Sequence, residues 1–436
     1  MYNTIYKDMT NKEINKLGDR IAYAQAVDLV HRDDLDLLQE FRKTYKDPLA
    51  KTFNRLLLLA GKVDKGAIVT YRIKRINTII RKLQRFKDNP NGEMKLSRMW
   101  DIAGCRCILS TNRINDIYKL KSLIEKEFGE CKVNDYLSQP KGDGYQSLHM
   151  YITDKETGKK IEVQIRNLIQ HNWATLVEIV DLIYGTKIKE GQQEKKLKDF
   201  LLLFSRKDSL SYEEKERLVR IEGRYRIFKK MSSVFSGNYL NVRKQWLATQ
   251  GVGNYFVIEA DKNFKSEIES FKYFENAEDA YYERYLANKD SNIVLTYIKS
   301  ARFEQISTAY SNYILTVHSF FDDYRRFIEE MILDSVDKQG FWRLNKSLRL
   351  YCRNTLVYMR NVVSERRELE KSINNNGISN RKAKEWMNTM IREIKQWNNA
   401  TVNFMKRLVV SIRHRKKYVY LVRFHFGLMR IESGIK

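Results

Sequence analysis

Proline is the residue that most constrains this chain. Its 436 residues contain three, Pro48, Pro90 and Pro140, so the whole stretch after residue 140 has none. Proline lacks an amide donor and its ring clashes with the preceding helical turn, so so long a proline-free stretch predicts a helix-rich second half. The length predicts two or three domains. No repeat of 20–50 residues is present, which argues against a solenoid. Hydrophobic residues make up 43% of the chain, enough for sizeable cores, and that excludes a wholly disordered protein.

Local spacing divides the chain. From Lys12 to Ala60 the apolar residues recur at helical intervals, as in Leu35, Leu38 and Phe41. Tyr71–Phe86 reads as a helix ended by the turn-rich Asp88–Gly92. Between 101 and 166 the pattern shifts to short β-type runs at Ile102–Leu109, Ser147–Thr153 and Lys160–Arg166, the last two joined by a hairpin at Asp154–Gly158. A helix with a core-facing stripe of Ile169, Trp173, Leu176, Val177, Val180, Ile183 and Tyr184 follows. More helix spans Lys196–Gln250. Beyond Gly251 and Gly253, strands at Tyr255–Glu259 and Asn292–Ile298 flank a helix near Ala277–Leu286. After residue 336 the chain is helical again, broken at Asn374–Gly377.

The formal charge is +26, and it is unevenly placed. Residues 336–436 hold 23 Lys+Arg against 7 Asp+Glu, a net +16, which leaves +10 for the preceding 335 residues. Such a surplus predicts a polyanionic partner without saying which. The four cysteines, Cys105, Cys107, Cys131 and Cys352, are too scattered for a disulfide framework or a Cys-rich zinc site and suit a reducing compartment. Met1–Asn15 lacks the apolar core of a signal peptide. The longest apolar runs, Leu56–Gly61 and Leu408–Ile412, are far below the roughly 20 residues of a membrane span. These features predict a soluble, cytoplasmic protein.

Several groups of residues have the chemistry of a phosphate site. On a helix, Lys74, Thr78 and Lys82 fall at i, i+4 and i+8, opposite Ile73, Ile76, Ile80 and Leu83. That stripe suits a polyphosphate, and equally a solvated basic face. Asp101, at a strand entrance in Asp101-Ile102-Ala103-Gly104-Cys105-Arg106, suits either a hard cation or a turn. The segment from Asp135 to His149 has two glycines, Gly142 and Gly144, and gathers Lys141, Tyr145, Gln146 and His149. In Ile161–Arg166 the apolar residues alternate with Glu162, Gln164 and Arg166, which share one face, and the neighbouring strand can bring His149 beside Glu162. His171 and Glu178, two turns apart, lie off the apolar stripe of their helix, as a surface pair or as part of the site.

Four segments in order resemble one family: Arg72, Lys74, Thr78, Ile79 and Lys82; Asp101-Ile102-Ala103-Gly104 with Arg106; Asp135-Tyr136, Pro140-Lys141, Gly144-Tyr145-Gln146-Ser147 and His149; and Glu162-Val163-Gln164-Ile165-Arg166. Together they resemble the RelA/SpoT-type synthetase domain, which makes guanosine tetra- and pentaphosphate. Gln170-His171, Trp173-Ala174-Thr175 and Glu178 are similar to single-synthetase members, the toxic small alarmone synthetases among them. Ala309-Tyr310-Ser311-Asn312-Tyr313 is similar to a segment of longer members. The resemblance covers roughly residues 10–330; the last hundred residues fall outside it.

The resemblance implies roles. Arg72 and Arg106 would sandwich the adenine of ATP, and Lys74, Thr78 and Lys82 would hold its phosphates. Asp101 and Glu162 would ligate Mg²⁺, with Glu162 also taking the proton of a 3′-hydroxyl. Tyr145 would stack on the acceptor base, with Lys141, Gln146, His149, Gln164 and Arg166 on the acceptor side. Two departures, Asn134 in place of a basic residue and Asn167 in place of Thr, bear on the acceptor. The hydrolase half of bifunctional members is absent: its metal site needs several histidines, and His31 alone precedes His149.

The expected fold is therefore mixed α/β (α+β), a mixed-sheet nucleotidyltransferase domain with flanking helices and a basic helical C-terminal region. The expected divisions are a helical lead (1–65), a synthetase core (66–195), a helical and small α/β extension (196–335) and a basic helical domain (336–436). The expected activity is transfer of pyrophosphate from ATP to GDP or GTP. The alternatives are the 3′ end of tRNA, an adenosine alarmone, and a degenerate nucleotide- or RNA-binding regulator. The basic tail, in which Arg413, Arg415, Lys416, Lys417 and Arg423 interleave with Phe404, Tyr418, Tyr420, Phe424 and Phe426, suits RNA, an anionic membrane or a solvated bundle; an antitoxin or other regulatory protein is a further expected partner of the chain.

Overall fold

The computed structural model describes residues 9–88, 94–140, 142, 144–186, 194–249, 252–289, 291–316, 318–338, 340–374 and 380–433. Lys141, Gly251 and most of the turns expected at 88–92 and 374–377 lie outside them. The chain divides into two compact units, Met1–Thr175 with Gln245–Ile314, and Leu176–Lys244 with Leu315–Lys436. The expected block 196–335 is thus shared between the two.

Unit 1 is built on one eight-stranded sheet of mixed direction. Its strands are β1 (Ile68–Ile73), β2 (Ala103–Leu109), β3 (Lys132–Asp135), β4 (Leu148–Thr153), β5 (Lys160–Asn167), β6 (Tyr255–Ala260), β7 (Ser266–Phe271) and β8 (Asn292–Tyr297). Their order is β3-β4-β5-β2-β1-β8-β6-β7, with β2 and β5 parallel and every other pair antiparallel. The expected strands at 102–109, 147–153 and 160–166 are present, and the hairpin at 154–158 joins the last two. The strands near 255 and 292 do not form a small separate element. They extend the same sheet through β8, whose Tyr297 and Thr296 pair with Tyr71 and Arg72 of β1.

Helices α1 (Asn11–Tyr23), α2 (Arg32–Lys43) and α3 (Lys46–Val63) realise the helical lead, with Thr10 and Glu13 closing a capping box at the start of α1. The expected helix 71–86 is instead strand β1 followed by α4 (Ile76–Arg85). Ile73, Ile76 and Ile80 imitate a helical stripe. The segment Ile-Val-Thr-Tyr-Arg-Ile at 68–73, however, is rich in β-branched residues and pairs along its whole length with β2. Helices α5 (Ile114–Phe128), α6 (Leu168–Tyr184) and α10 (Phe274–Ala287) complete the framework; α5, β3 and β7 have no counterpart in the sequence reading. Val69 and Tyr71, Cys105 and Cys107, Val163 and Ile165, and Met150 make one face of the sheet apolar, and all are buried against the helices in one core. The other face is polar around Thr70, Arg72, Arg106, Gln164 and His149 and apolar farther along β6 and β8, at Phe256, Ile258 and Val294.

On α6 the buried face is rotated from the expected stripe. Ile169 is exposed, while Gln170, His171 and Thr175 are buried with Leu176, Val177 and Val180. His171, expected off the apolar stripe, is fully buried, and its Nε2 is satisfied by the Thr308 carbonyl at 2.9 Å.

Unit 2 is helical: the last turns of α6, α7 (Lys195–Ser205), α8 (Tyr212–Tyr225), most of α9 (Ile227–Thr249), α13 (Phe320–Asp337), α14 (Phe341–Asn374), α15 (Asn380–Ser411) and α16 (Lys416–Ser433). Phe200, Phe204, Phe228, Phe320 and Tyr324 form an aromatic cluster in its core. Two of the aromatics expected to interleave with the tail's cations, Phe404 and Phe426, are also core residues. Tyr420 and Phe424 are exposed, and with Leu428 and Ile431 they form a stripe along α16. No helix among the described residues is long and apolar enough to cross a membrane.

Candidate active site

Strand pairing assembles the polar face from residues far apart in sequence. Cross-strand partners share a face, so Arg72, Gly104, Glu162 and Tyr151 form one row, and Thr70, Arg106, Gln164, His149 and Asn134 the next. Gly104 is the one residue of the first row without a side chain. A Cβ there would lie 2.8 Å from the Glu162 carbonyl oxygen, so only glycine lets β2 approach β5 this closely beside Glu162.

Two charged clusters stand on or beside this face. In the first, Asp101 receives Lys74 at 2.5 Å on Oδ2 and Lys82 at 2.7 Å on Oδ1. Lys74 is not part of the helix bearing Lys82, as the spacing suggested; it sits just beyond β1, and the two ammonium groups converge from different elements. Thr78, in α4, bonds the Asn77 side chain instead. Burial by itself would raise the Asp101 pKa, but the two lysines bring it down to about 2. Burial lowers that of Lys74, Asp101 pulls it back up, and the like charge of Lys82 lowers it further.

The second cluster is a closed circuit. The His149 Nδ1 lies 2.9 Å from Glu162 Oε1, and the Gln164 amide donates to Oε2 at 2.8 Å. Tyr145 hydroxyl meets His149 Nε2 at 2.8 Å, and Arg166 donates to that hydroxyl and to Gln164 Oε1. The strand pairing expected to bring His149 beside Glu162 does so. Tyr151, two residues on along the same strand face, adds a hydrogen bond to Glu162 at 3.3 Å; the i, i+2 rule applied to His149 would have found it. Burial opposes ionisation of Glu162, yet the His149 hydrogen bond and charge carry its pKa down to about 2. Burial likewise lowers that of His149, and the bond to Glu162 more than restores it, for a net rise.

Other expected residues are placed differently. Arg72 is half-buried on the polar face. Arg106 is buried, donates to the Ala309 carbonyl at 3.2 Å and lies 5.9 Å from the centre of the Tyr310 ring. Tyr310 hydroxyl in turn bonds Thr70 and Thr296, so the segment between α11 (Phe303–Ala309) and α12 (Ser311–Ile314) is seated on the second row. Tyr145 is not an open stacking face: Arg166 lies 5.0 Å over its ring, with Tyr136, His149 and Trp173 edge-on around it. Gln146 is exposed beside it. Asn167 caps α6 through reciprocal bonds with Gln170.

No group of three or more His, Cys, Asp or Glu side chains suited to a metal occurs among the described residues. Asp101 and Glu162 are nevertheless two ionised carboxylates whose like charges oppose one another. Two hard oxygen ligands of this kind fit an ion such as Mg²⁺, which takes its remaining oxygens from phosphates and water.

Residues 71–189 match the family described as the region found in RelA / SpoT proteins. The chain is 34% identical over 113 residues to the GTP pyrophosphokinase YwaC of Bacillus subtilis, covering 24% of this chain and 53% of that protein. It is 32% identical over 130 residues to the GTP pyrophosphokinase YjbM of the same organism, covering 28% and 59%. It therefore spans little more than half the length of these relatives. Among solved structures, the small alarmone synthetase 2 from Bacillus subtilis is similar at 25% identity, over 44% of this chain and 99% of that one, with a TM-score of 0.31.

Proposed function

With residues 71–189 taken as a RelA/SpoT-family region, we propose that this chain is a pyrophosphokinase that moves the β,γ-pyrophosphate of ATP to the 3′-hydroxyl of a guanine nucleotide. The observation that carries the reading is the convergence on one sheet face of a twofold lysine–aspartate cluster and a glutamate kept ionised by histidine. The relatives' names as GTP pyrophosphokinases support the guanine acceptor.

Lys74 and Lys82 now neutralise Asp101. A polyphosphate offers them more negative charge, so they transfer to it and bind it across α4 and the end of β1. Arg72, on β1, would cover the adenine. Glu162, fixed by His149, Tyr151 and Gln164, accepts the proton from the attacking 3′-oxygen. That oxygen forms a bond to the β-phosphorus as the α–β bridging bond breaks and AMP leaves. Positioning and neutralisation, rather than covalent chemistry, are what this transfer needs. Asp101 and Glu162 would hold Mg²⁺, which when bound adds positive charge against the phosphate oxygens.

A second reading has the 3′ end of tRNA as acceptor; the net +16 of residues 336–436 favours it, since a polynucleotide backbone is bound through many such charges. The test for both is incubation with β-labelled ATP and, in turn, GDP, GTP, AMP, ATP or deacylated tRNA. Label on GDP or GTP supports the first reading, label on tRNA alone replaces it with the second, and no transferred label overturns both.

A further inference from the structure

The turn joining β1 to α4 is held by side chains from outside residues 71–189. Arg42 of α2 is wholly buried. Its Nε donates to the Lys74 carbonyl at 3.0 Å, and a terminal nitrogen donates to Glu278 of α10 at 3.3 Å and to Gln39. Gln39 donates to the same Glu278 oxygen at 2.6 Å, and the Arg42 guanidinium lies 4.6 Å over the Tyr281 ring. Tyr281 hydroxyl accepts the Ile76 amide at 3.0 Å, and Arg75 donates to the Asn292 side chain at 2.6 Å.

Two features give this cluster a use beyond holding the fold. The residue before α4, Arg75, provides no side-chain cap, and an orphan amide of the first helical turn is satisfied by Tyr281 from another part of the chain. The start of α4, and with it Lys82, is therefore set by α10. In addition, a buried arginine–glutamate pair adds little stability over apolar residues of similar size, because both ions lose their water. What it does supply is a donor aimed at one carbonyl, that of Lys74.

We propose that Arg42, Glu278 and Tyr281 are positioning residues that fix Lys74 and Lys82 for the phosphates of ATP, an inference that rests on the pyrophosphokinase reading. The sheet extension β6–β8 with α10 is then a working part of the site.

The test uses the full chain and two readouts: affinity for α,β-methylene-ATP, and KM for ATP and for the labelled acceptor. Tyr281→Phe, which removes one hydrogen bond and keeps the ring, raises KM for ATP about fivefold and leaves KM for the acceptor unchanged. The double variant Arg42→Met/Glu278→Leu replaces the pair by apolar side chains; it stays folded, with a lower melting temperature because buried Gln39 loses side-chain partners, while its affinity for the ATP analogue falls roughly tenfold. Tyr285→Phe, buried on the same helix, is the control and keeps the parent values. A folded double variant with parental ATP affinity, or an equal rise in both KM values for Tyr281→Phe, overturns the positioning role. A parent that binds the analogue but transfers nothing overturns the pyrophosphokinase reading alone, and the variants' affinities still decide the clamp. A parent that fails to bind the analogue overturns both.

Discussion

The cations of the site and those of the tail differ in what surrounds them. Lys74 and Lys82 share one carboxylate, Arg166 is locked to Tyr145 and Gln164, and Arg106 is held by Ala309. Lys416, Lys417 and Arg423 are exposed on α16 beside Tyr420 and Phe424. The first group belongs to the region with the smaller net charge, the second to the region with the larger. Net charge thus reports where a polyanion is attracted, whereas a reaction depends on a few cations whose positions are fixed by burial and partners.

The largest test of this contrast is Asp101→Ala or Glu162→Gln. Either lowers pyrophosphate transfer by a thousandfold or more, roughly, in a protein whose circular dichroism is unchanged. Near-parental transfer would mean that the paired charges do not act. A smaller effect of opposite sign is expected at Tyr310. If Arg106 must leave Ala309 and Tyr310 to reach the adenine, Tyr310→Ala loosens that contact and lowers KM for ATP by about tenfold. A raised KM would assign the tyrosine to the ATP site instead.

Acid unfolding checks the electrostatics. Asp101 has its pKa brought down from 3.8 to about 2, so its pairing stabilises the fold fully above the unfolded value and is lost as pH falls through about 2. The contribution is about 2 kcal/mol, measurable as the loss of pH dependence in Asp101→Asn during urea unfolding between pH 5 and 2. His149 has the reverse sign. Its pKa is raised, so its contribution is present below the unfolded-state value and disappears as pH rises through the folded one. The smallest effect belongs to the tail. Replacing Lys416, Lys417 and Arg423 by Gln leaves transfer to GDP within about twofold, and it flattens the salt dependence of any transfer to tRNA. A matching loss with GDP would make the two groups of cations one system.

Much of the site was legible because its signals are local. The alternation of Glu162, Gln164 and Arg166 and the hairpin after Thr153 need only neighbouring residues, and they fixed the pairing with His149. What escaped depends on distant contacts. Tyr71–Ile73 reads as helix until β2 pairs with it along its length. His171 reads as part of a surface pair or of the site, and its burial against a carbonyl 137 positions away is not visible in the spacing. Arg42 and Glu278 carry no motif of their own and gain meaning only from the residues they meet, and Tyr310, though part of a quoted segment, had no expected partner. The sheet extension was seen as strands but not as part of this sheet, since a two-residue pairing with β1 leaves no local trace.

That short seam has a consequence for synthesis. β1, β2 and β5 leave the ribosome as a group, while α10, β8 and Tyr310 follow roughly 110 to 140 residues later, an interval of about five to thirty seconds at ordinary translation rates. During that time the nascent chain has its charged face, with β1 as an open edge and neither the clamp on Lys74 nor the tyrosine over Arg106.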